Sequence, residues 1–267
     1  MISPEKILIV RTDRIGDVVL SLPMAELIKL KYPKCKLAYF LREYSSSLLE
    51  GNPFIDEVIV ANELNGEILF KENLEKIKAK GFDTCVVVNP TFRISFLMFL
   101  AGIRNRIGTG YRWYSFLFNI KVFEHRKYGE KHELEYNIGL LNTMGLEITD
   151  FKKEINFHLS VAEENTERLN DLLKKKGLKP GSKIVIIHPG SGGSSVDLPK
   201  VKLIELARKI AELKNVTIVI TGSKNETELC REFEINNSVI NIAGQIDISL
   251  LKALIKKADL FISNSTG

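Results

Sequence analysis

No apolar run in this sequence reaches the roughly 18 residues that a membrane-spanning helix needs, so no transmembrane segment is expected. The opening residues, Met-Ile-Ser-Pro-Glu-Lys, lack the basic and apolar regions of a signal peptide, and the expected location is cytoplasmic. Cysteine is scarce. Cys35, Cys85 and Cys230 are odd in number and far apart, which excludes a disulfide framework and predicts buried, reduced thiols. The four histidines, His125, His132, His158 and His188, show no metal-ligand spacing, and no bound metal or cofactor is expected. Neither half carries the Gly-x-Gly-x-x-Gly fingerprint with an acid about 20 residues on, which argues against a dehydrogenase.

What is present is ordinary for a globular enzyme: 267 residues, 45% hydrophobic and 27% charged, with a net charge of +5. A mild positive balance suits an anionic substrate or a membrane surface, and equally an unselective exterior. Short β-branched runs alternate with helix-periodic segments along the whole chain, the pattern of α/β folds with parallel sheets. Strands are predicted at 6–11, 36–41, 57–61, 84–89, 106–108, 183–188, 216–221, 239–242 and 260–263. Helices fill the gaps at 17–31, 43–50, 67–80, 92–103, 131–144, 163–176, 199–214, 224–235 and 247–257. Pro23 should bend the first helix or move its start to near Ser21.

The segment 147–157 is polar and without period. Ser160-Val-Ala-Glu163 then has the spacing of a capping box, and Lys183-Ile-Val-Ile-Ile187 opens a second strand–turn–helix series. Two Rossmann-like, doubly wound domains follow, at 1–155 and 156–267. The last strand runs into Asn264-Ser-Thr-Gly267 with no helix behind it. Finishing a second sheet would take about 60 further residues, so the second domain is expected to be incomplete.

Chemistry concentrates at three kinds of turn. Ile7-Leu-Ile-Val10 leads into Arg11-Thr-Asp-Arg-Ile-Gly-Asp17, where a single glycine, Gly16, precedes a carboxylate. A negative charge at the carboxyl end of the first strand repels phosphate but accepts a proton, which makes Asp17 a candidate base and Asp13 the next candidate. A plain helix cap is the alternative role for Asp17. The second half offers donor-rich turns after three strands: His188-Pro-Gly-Ser-Gly-Gly193, Thr221-Gly-Ser223 and Ser265-Thr-Gly267. Backbone N–H groups of Gly190, Ser191, Gly192, Gly193, Gly222, Ser223, Ser265, Thr266 and Gly267 would line one crevice suited to a nucleotide diphosphate, with His188 beside it.

The run Ile7-Leu-Ile-Val-Arg-Thr-Asp-Arg-Ile-Gly-Asp-Val-Val19, with Leu22-Pro and Tyr32-Pro, resembles the start of glycosyltransferase family 9, the ADP-heptose:lipopolysaccharide heptosyltransferases. Asn52-Pro-Phe-Ile-Asp-Glu57, Gly81-Phe-Asp83, Ile187-His-Pro-Gly-Ser-Gly192 and the segment from Lys257 to Gly267 are similar to later parts of that family. The resemblance implies a GT-B-like fold, an ADP-sugar donor on the second domain and an acceptor on the first. It implies inverting, metal-independent transfer, in keeping with the lack of an Asp-x-Asp motif, with Asp17 as general base and Gly16 beside it. The acceptor would be a lipopolysaccharide core or other anionic surface glycan at the inner membrane face, met on the side of Arg14 and Arg93. Two departures stand out. Val196-Asp-Leu-Pro199 carries no cation where family members usually place one before a Trp-Pro pair, and Asn264-Ser-Thr-Gly267 replaces the usual Asn-Asp-Thr-Gly.

Residues 92–131 are basic and aromatic. They read as an acceptor-side surface for an anionic glycolipid, peripheral to the inner leaflet, or as a solvated basic face over core aromatics. A single-stranded nucleic-acid platform is the weakest reading, and no nucleic-acid partner is expected. A sugar-nucleotide epimerase or hydrolase of the same plan, and a truncated non-catalytic remnant, are the competing functions.

Overall fold

The structure is a computed structural model that describes residues 4–146, 155–191 and 197–264. The chain divides into two compact units, Met1–Ser160 and Val161–Gly267. The first unit reaches past residue 155 because its last residues are tied back to it. Asn156 Nδ2 and His158 Nε2 meet Glu26 at 3.3 and 3.0 Å, and the Ser160 hydroxyl donates to the Gly51 carbonyl. The Ser160 side chain is therefore not a helix cap. The following helix starts after Ala162 with no side-chain cap bond.

In the first unit the elements run β1 (Lys6–Val10), α1 (Ile15–Val19), α2 (Pro23–Lys31), β2 (Lys36–Leu41), α3 (Glu43–Ser46), β3 (Glu57–Val60), the hairpin β4 (Glu63–Leu64) and β5 (Glu67–Ile68), α4 (Phe70–Lys80), β6 (Thr84–Val87), α5 (Phe92–Leu100), β7 (Asn105–Thr109), β8 (Ile120–Val122) and α6 (Glu133–Gly139). Pro23 cuts the predicted first helix in two and takes the first position of α2, where its missing N–H is no loss. The main sheet is parallel with order β3-β2-β1-β6-β7-β8. Residues 7–10 of β1 are fully buried, as a strand covered on both faces must be. On one face Leu8, Val10, Phe40, Cys85 and Val87 pack with Ile77 of α4 and Ile94, Leu97 and Met98 of α5.

The second unit runs α7 (Glu163–Lys175), β9 (Lys183–His188), α8 (Lys200–Ala211), β10 (Val216–Ile220), α9 (Thr227–Arg231), β11 (Val239–Asn241), α10 (Ile248–Lys257) and β12 (Leu260–Ser263). Its sheet is parallel, with order β11-β10-β9-β12. The strand period of two divides the core cleanly. Ile184 and Ile186 pack with Leu169, Leu173 and Leu254 of α7 and α10, while Val185 and Ile187 pack with Leu203, Ala207 and Phe233 on the other face. Each unit is thus a doubly wound, Rossmann-like layer structure.

Both sheets reverse strand order once. In the first unit the reversal lies between β1 and β6, in the second between β9 and β12. The carboxyl ends of strands at such a reversal open into a crevice where ligands bind.

Candidate active site

At the first reversal, β1 delivers Arg11, whose side chain is only 2% exposed. A buried guanidinium is tolerated only when paired; this one faces three carboxylates, and its hydrogen bonds come from Nη1 and Nη2, with none from Nε among the described residues. Its Nε lies 2.8 Å from Asp13 Oδ1, and its Nη2 lies 3.0 Å from Asp17 Oδ1 and 3.2 Å from Glu133 Oε1. Its Nη1 donates to Glu133 and to Asn137, both on α6. Arg126 shares the same Glu133 oxygen and also reaches Asn137. Asn137 is itself fixed, donating to the Leu20 carbonyl at 3.0 Å. Two guanidiniums therefore face three carboxylates.

The two candidate bases sit differently in this network. The Asp13 side chain is 18% exposed and the Asp17 side chain 34%. Burial raises the pKa of Asp13 above the usual aspartate value. Arg11 pulls the other way, and the Asp17 charge adds to the rise. Asn89, just past β6, donates to Asp13 Oδ2 at 2.9 Å. Burial lowers the pKa of Arg126, against the opposing pull of Glu133.

Two clefts open beside this cluster and share Asn89. One, of about 570 Å³, is lined by Asp13, Arg14, Tyr44, Asn89, Thr91 and Arg93 among others. Arg42 on its wall is pinned by Glu63 at 2.8 Å and by the Thr12 carbonyl at 2.7 Å. Arg14 and Arg93 are exposed. Among the described residues Arg14 has no ion pair, and Arg93 only overlies the Phe70 ring at 6.0 Å. Such a pair of uncommitted guanidiniums can hold a carboxylate or phosphate. The other cleft, of about 410 Å³, is lined by Thr109, Arg112, Arg126 and Tyr136, with Tyr111 stacked on His125 at its edge.

In the second unit His188 closes β9. Its Nδ1 lies 3.0 Å from Thr221 Oγ1 at the end of β10, and burial lowers its pKa while Glu226 opposes. Asn264, at the end of β12, bridges the reversal: its amide donates to the Pro189 carbonyl at 3.2 Å and it accepts from the Leu198 N–H at 3.1 Å. Gly190 lies against the Glu226 carboxylate so closely that a Cβ would collide with it. Glu226 and Ser223 form a capping box. Burial works against ionisation of Glu226, but the Ser223 hydrogen bonds hold its pKa below the usual value. A Cβ on Gly222 would come within 2.7 Å of Cys230 Sγ, so packing against α9 accounts for that glycine. Ser191 donates to Asp197 at 2.5 Å. Gly192, Gly193, Ser265, Thr266 and Gly267 lie outside the described residues.

The first unit thus gathers Asp13, Gly16 and Asp17 with Arg14 and Arg93 about one strand end, and the second gathers His188, Gly190, Gly222 and Ser223 about another. Sequence reasoning missed Arg11, Asn89, Arg126, Glu133, Asn137 and Glu226. The Ser223-x-x-Glu226 spacing was a readable signal for Glu226. Nothing links Arg11 to α6, more than 100 residues on, before the chain folds.

Two Rossmann-like units, with a carboxylate cluster at one strand-order reversal and small-residue turns at the other, have the architecture of the GT-B-like fold. The fold is that of a glycosyl transferase family 9 structure from Veillonella parvula (TM-score 0.84, 21% identity, covering 97% of this chain and 74% of that one). It is also that of E. coli ADP-heptose lps heptosyltransferase II (TM-score 0.80, 19% identity, 98% and 79% covered). Residues 72–267 match glycosyltransferase family 9 (heptosyltransferase), and the chain belongs to that family. A Haemophilus influenzae protein that carries the name "Putative glycosyltransferase" is 30% identical, over 98% of this chain and 78% of that protein. Lipopolysaccharide heptosyltransferase 1 of Campylobacter coli is 25% identical over 98% and 78%.

Proposed function

We propose that the chain transfers a heptose or related sugar from an ADP-sugar to an anionic lipopolysaccharide-core or other surface-glycan acceptor, on the cytoplasmic side, with inversion and without a metal. The carrying observation is the Arg11-centred cluster, which places Asp17 and Asp13 at the strand-order reversal beside the Arg14–Arg93 cleft. In this reading Asp17 accepts the proton of the acceptor hydroxyl. The acceptor oxygen forms a bond to the anomeric carbon as the carbon–phosphate-oxygen bond breaks, and ADP leaves with the electron pair. Arg11 Nη2, 3.0 Å from Asp17 Oδ1, fixes the position of that carboxylate, and a base must be held within reach of the proton that it takes. Arg14 and Arg93 orient the acceptor through its negative charge. The turn from His188 to Gly193, with Gly222, Ser223 and the residues 265–267, serves the ADP-sugar.

The test is transfer from ADP-heptose to a deacylated core acceptor by Asp17→Asn and Asp13→Asn, with ADP binding measured in parallel. Loss of Asp17 as base lowers kcat by about 10²–10⁴ and leaves ADP affinity near wild type. A larger loss in Asp13→Asn than in Asp17→Asn moves the base to Asp13. Equal loss of binding and rate in Asp17→Asn makes the residue structural.

A further inference from the structure

Helix α5 is apolar on both sides. Ile94, Leu97 and Met98 fill the core beneath the sheet, yet Phe92, Phe99 and Leu100 face solvent. The connection between β7 and β8 meets this outer side where Trp113 stacks on Phe92; Trp113 is 73% exposed, and Phe116, also on the connection, is 66% exposed. The rings of Phe70, Phe92, Phe96, Phe99 and Trp113 form one continuous assembly, and Phe116 follows Trp113 on the same connection. Phe92 stacks on Trp113 with centroids 4.9 Å apart and on Phe96 at 5.7 Å, and Phe96 stacks on Phe70 at 5.9 Å. Exposed apolar side chains scattered singly need no explanation, but a joined patch of aromatics marks an interaction surface.

Helix α5 and the β7–β8 connection carry charge of one sign, and Glu67 lines the neighbouring cleft. From Thr84 to Phe123 the sequence contains no Asp or Glu, while it carries Arg93, Arg104, Arg106, Arg112 and Lys121. Arg106 lies over the Phe99 ring at 5.2 Å. Rings that can sit among headgroups, rimmed by cations, are what an anionic bilayer surface selects. A second copy of this chain would bring the same positive patch and be repelled.

We propose that the outer face of α5 together with the β7–β8 connection is a membrane-docking face that seats on the anionic surface of a bilayer, with Trp113 and Phe116 entering the headgroup layer. Thr91, Arg93 and Ile94 at the start of α5 also line the Arg14–Arg93 cleft. Docking on this face therefore brings that cleft next to lipid-anchored molecules. The proposal stands independently of which sugar or acceptor the chain uses.

The test uses the wild-type chain and vesicles that contain no glycolipid. The chain has one tryptophan, so its fluorescence reports Trp113 alone. With phosphatidylethanolamine–phosphatidylglycerol vesicles the chain should co-sediment and the emission should shift to the blue. Phosphatidylcholine vesicles should bind at least about tenfold more weakly, as should Trp113→Ser/Phe116→Ser and Arg104→Glu/Lys121→Glu with anionic vesicles. Transfer to a water-soluble acceptor should be unchanged in Trp113→Ser/Phe116→Ser, which separates this face from the transfer chemistry. An unshifted emission with the protein left in the supernatant overturns the proposal without touching the transferase reading, and it needs no variant. Undiminished vesicle binding by Trp113→Ser/Phe116→Ser overturns the assignment of this face. Self-association that these two substitutions abolish, with no vesicle binding, replaces the bilayer by a second copy.

Discussion

Asn89 donates its side-chain amide to Asp13 at 2.9 Å across the point where the first sheet reverses its strand order. Asn89 follows β6 and Asp13 follows β1, so one hydrogen bond ties together the two strand ends that create the crevice. The same arrangement recurs in the second unit, where Asn264 after β12 reaches Pro189 after β9. In each unit an asparagine closes the strand-order reversal from the later strand.

Burial sets the fold against the charge of Asp13. Burial raises its pKa, so the folded chain keeps the Asp13 proton to a higher pH than the unfolded chain does. Stability from this residue is then lost as pH rises above the ordinary aspartate range. Asp13→Asn removes that dependence while keeping a polar group beside Asn89 and Arg11. The difference in Tm between Asp13→Asn and wild type should move in favour of the variant between about pH 4 and pH 7. Thermal melts across that range decide it, and a difference that stays flat would mean Arg11 fully offsets the burial.

Arg11 carries the cluster. Replacing it by Met leaves Asp13 and Asp17 without the guanidinium that they share, while Glu133 keeps Arg126. Breaking a fully buried ion pair from one side costs about 3–5 kcal/mol, and Arg11→Met should lose less than that in urea unfolding, because the Asp17 and Glu133 side chains are 34% and 29% exposed and partly solvated. Arg11→Lys should recover only part, since a single ammonium cannot replace ion-pair contacts spread over three nitrogens of a planar fork.

The fold was largely legible because the apolar runs are short and β-branched and the helices amphipathic. β2, β9 and β12 fall where the pattern puts them. β8 was not legible: Ile120–Val122 is three residues long, and none of them is fully buried. The hairpin of β4 and β5 was lost for the same reason of length. Helices 131–144 and 224–235 were read too long, because leucine spacing does not show where an α-helix tightens or stops. At the site, the acids of the first turn were readable as acids. Their partner Glu133 was not, since charge pairing across the fold leaves no periodic mark.

Arg14 and Arg93 line the same cleft, and among the described residues no carboxylate is paired to either. If they hold an anionic acceptor, Arg14→Ala and Arg93→Ala should each raise acceptor KM by about tenfold and leave kcat within a few-fold, the signature of uniform binding. Donor KM should not move. A fall in kcat with unchanged acceptor KM would assign them to the transition state instead.

Gly222 tests a packing argument against a ligand argument. A methyl group there meets Cys230 Sγ at 2.7 Å, and overpacking of this kind costs about 1–3 kcal/mol. Gly222→Ala should be destabilised by that amount. The double variant Gly222→Ala/Cys230→Ala should be more stable than the two single losses predict, because the new methyl enters the space the sulfur leaves. Additive losses in a double-mutant cycle would mean that the two side chains do not compete for this space.

His188 gives the second unit its own pH dependence. Burial depresses its pKa below the ordinary histidine value of 6.5, with Glu226 only partly opposing. As pH falls, the unfolded chain takes up the imidazole proton before the folded chain does. The stability that His188 supplies is therefore complete above about pH 6.5 and is lost as pH drops toward the folded value. His188→Gln keeps a side chain able to bond Thr221 but cannot titrate. Wild type should lose Tm more steeply than His188→Gln between about pH 7 and pH 5. Parallel curves would mean that the folded chain protonates His188 as readily as the unfolded chain, with Glu226 supplying the counter-charge that burial removes.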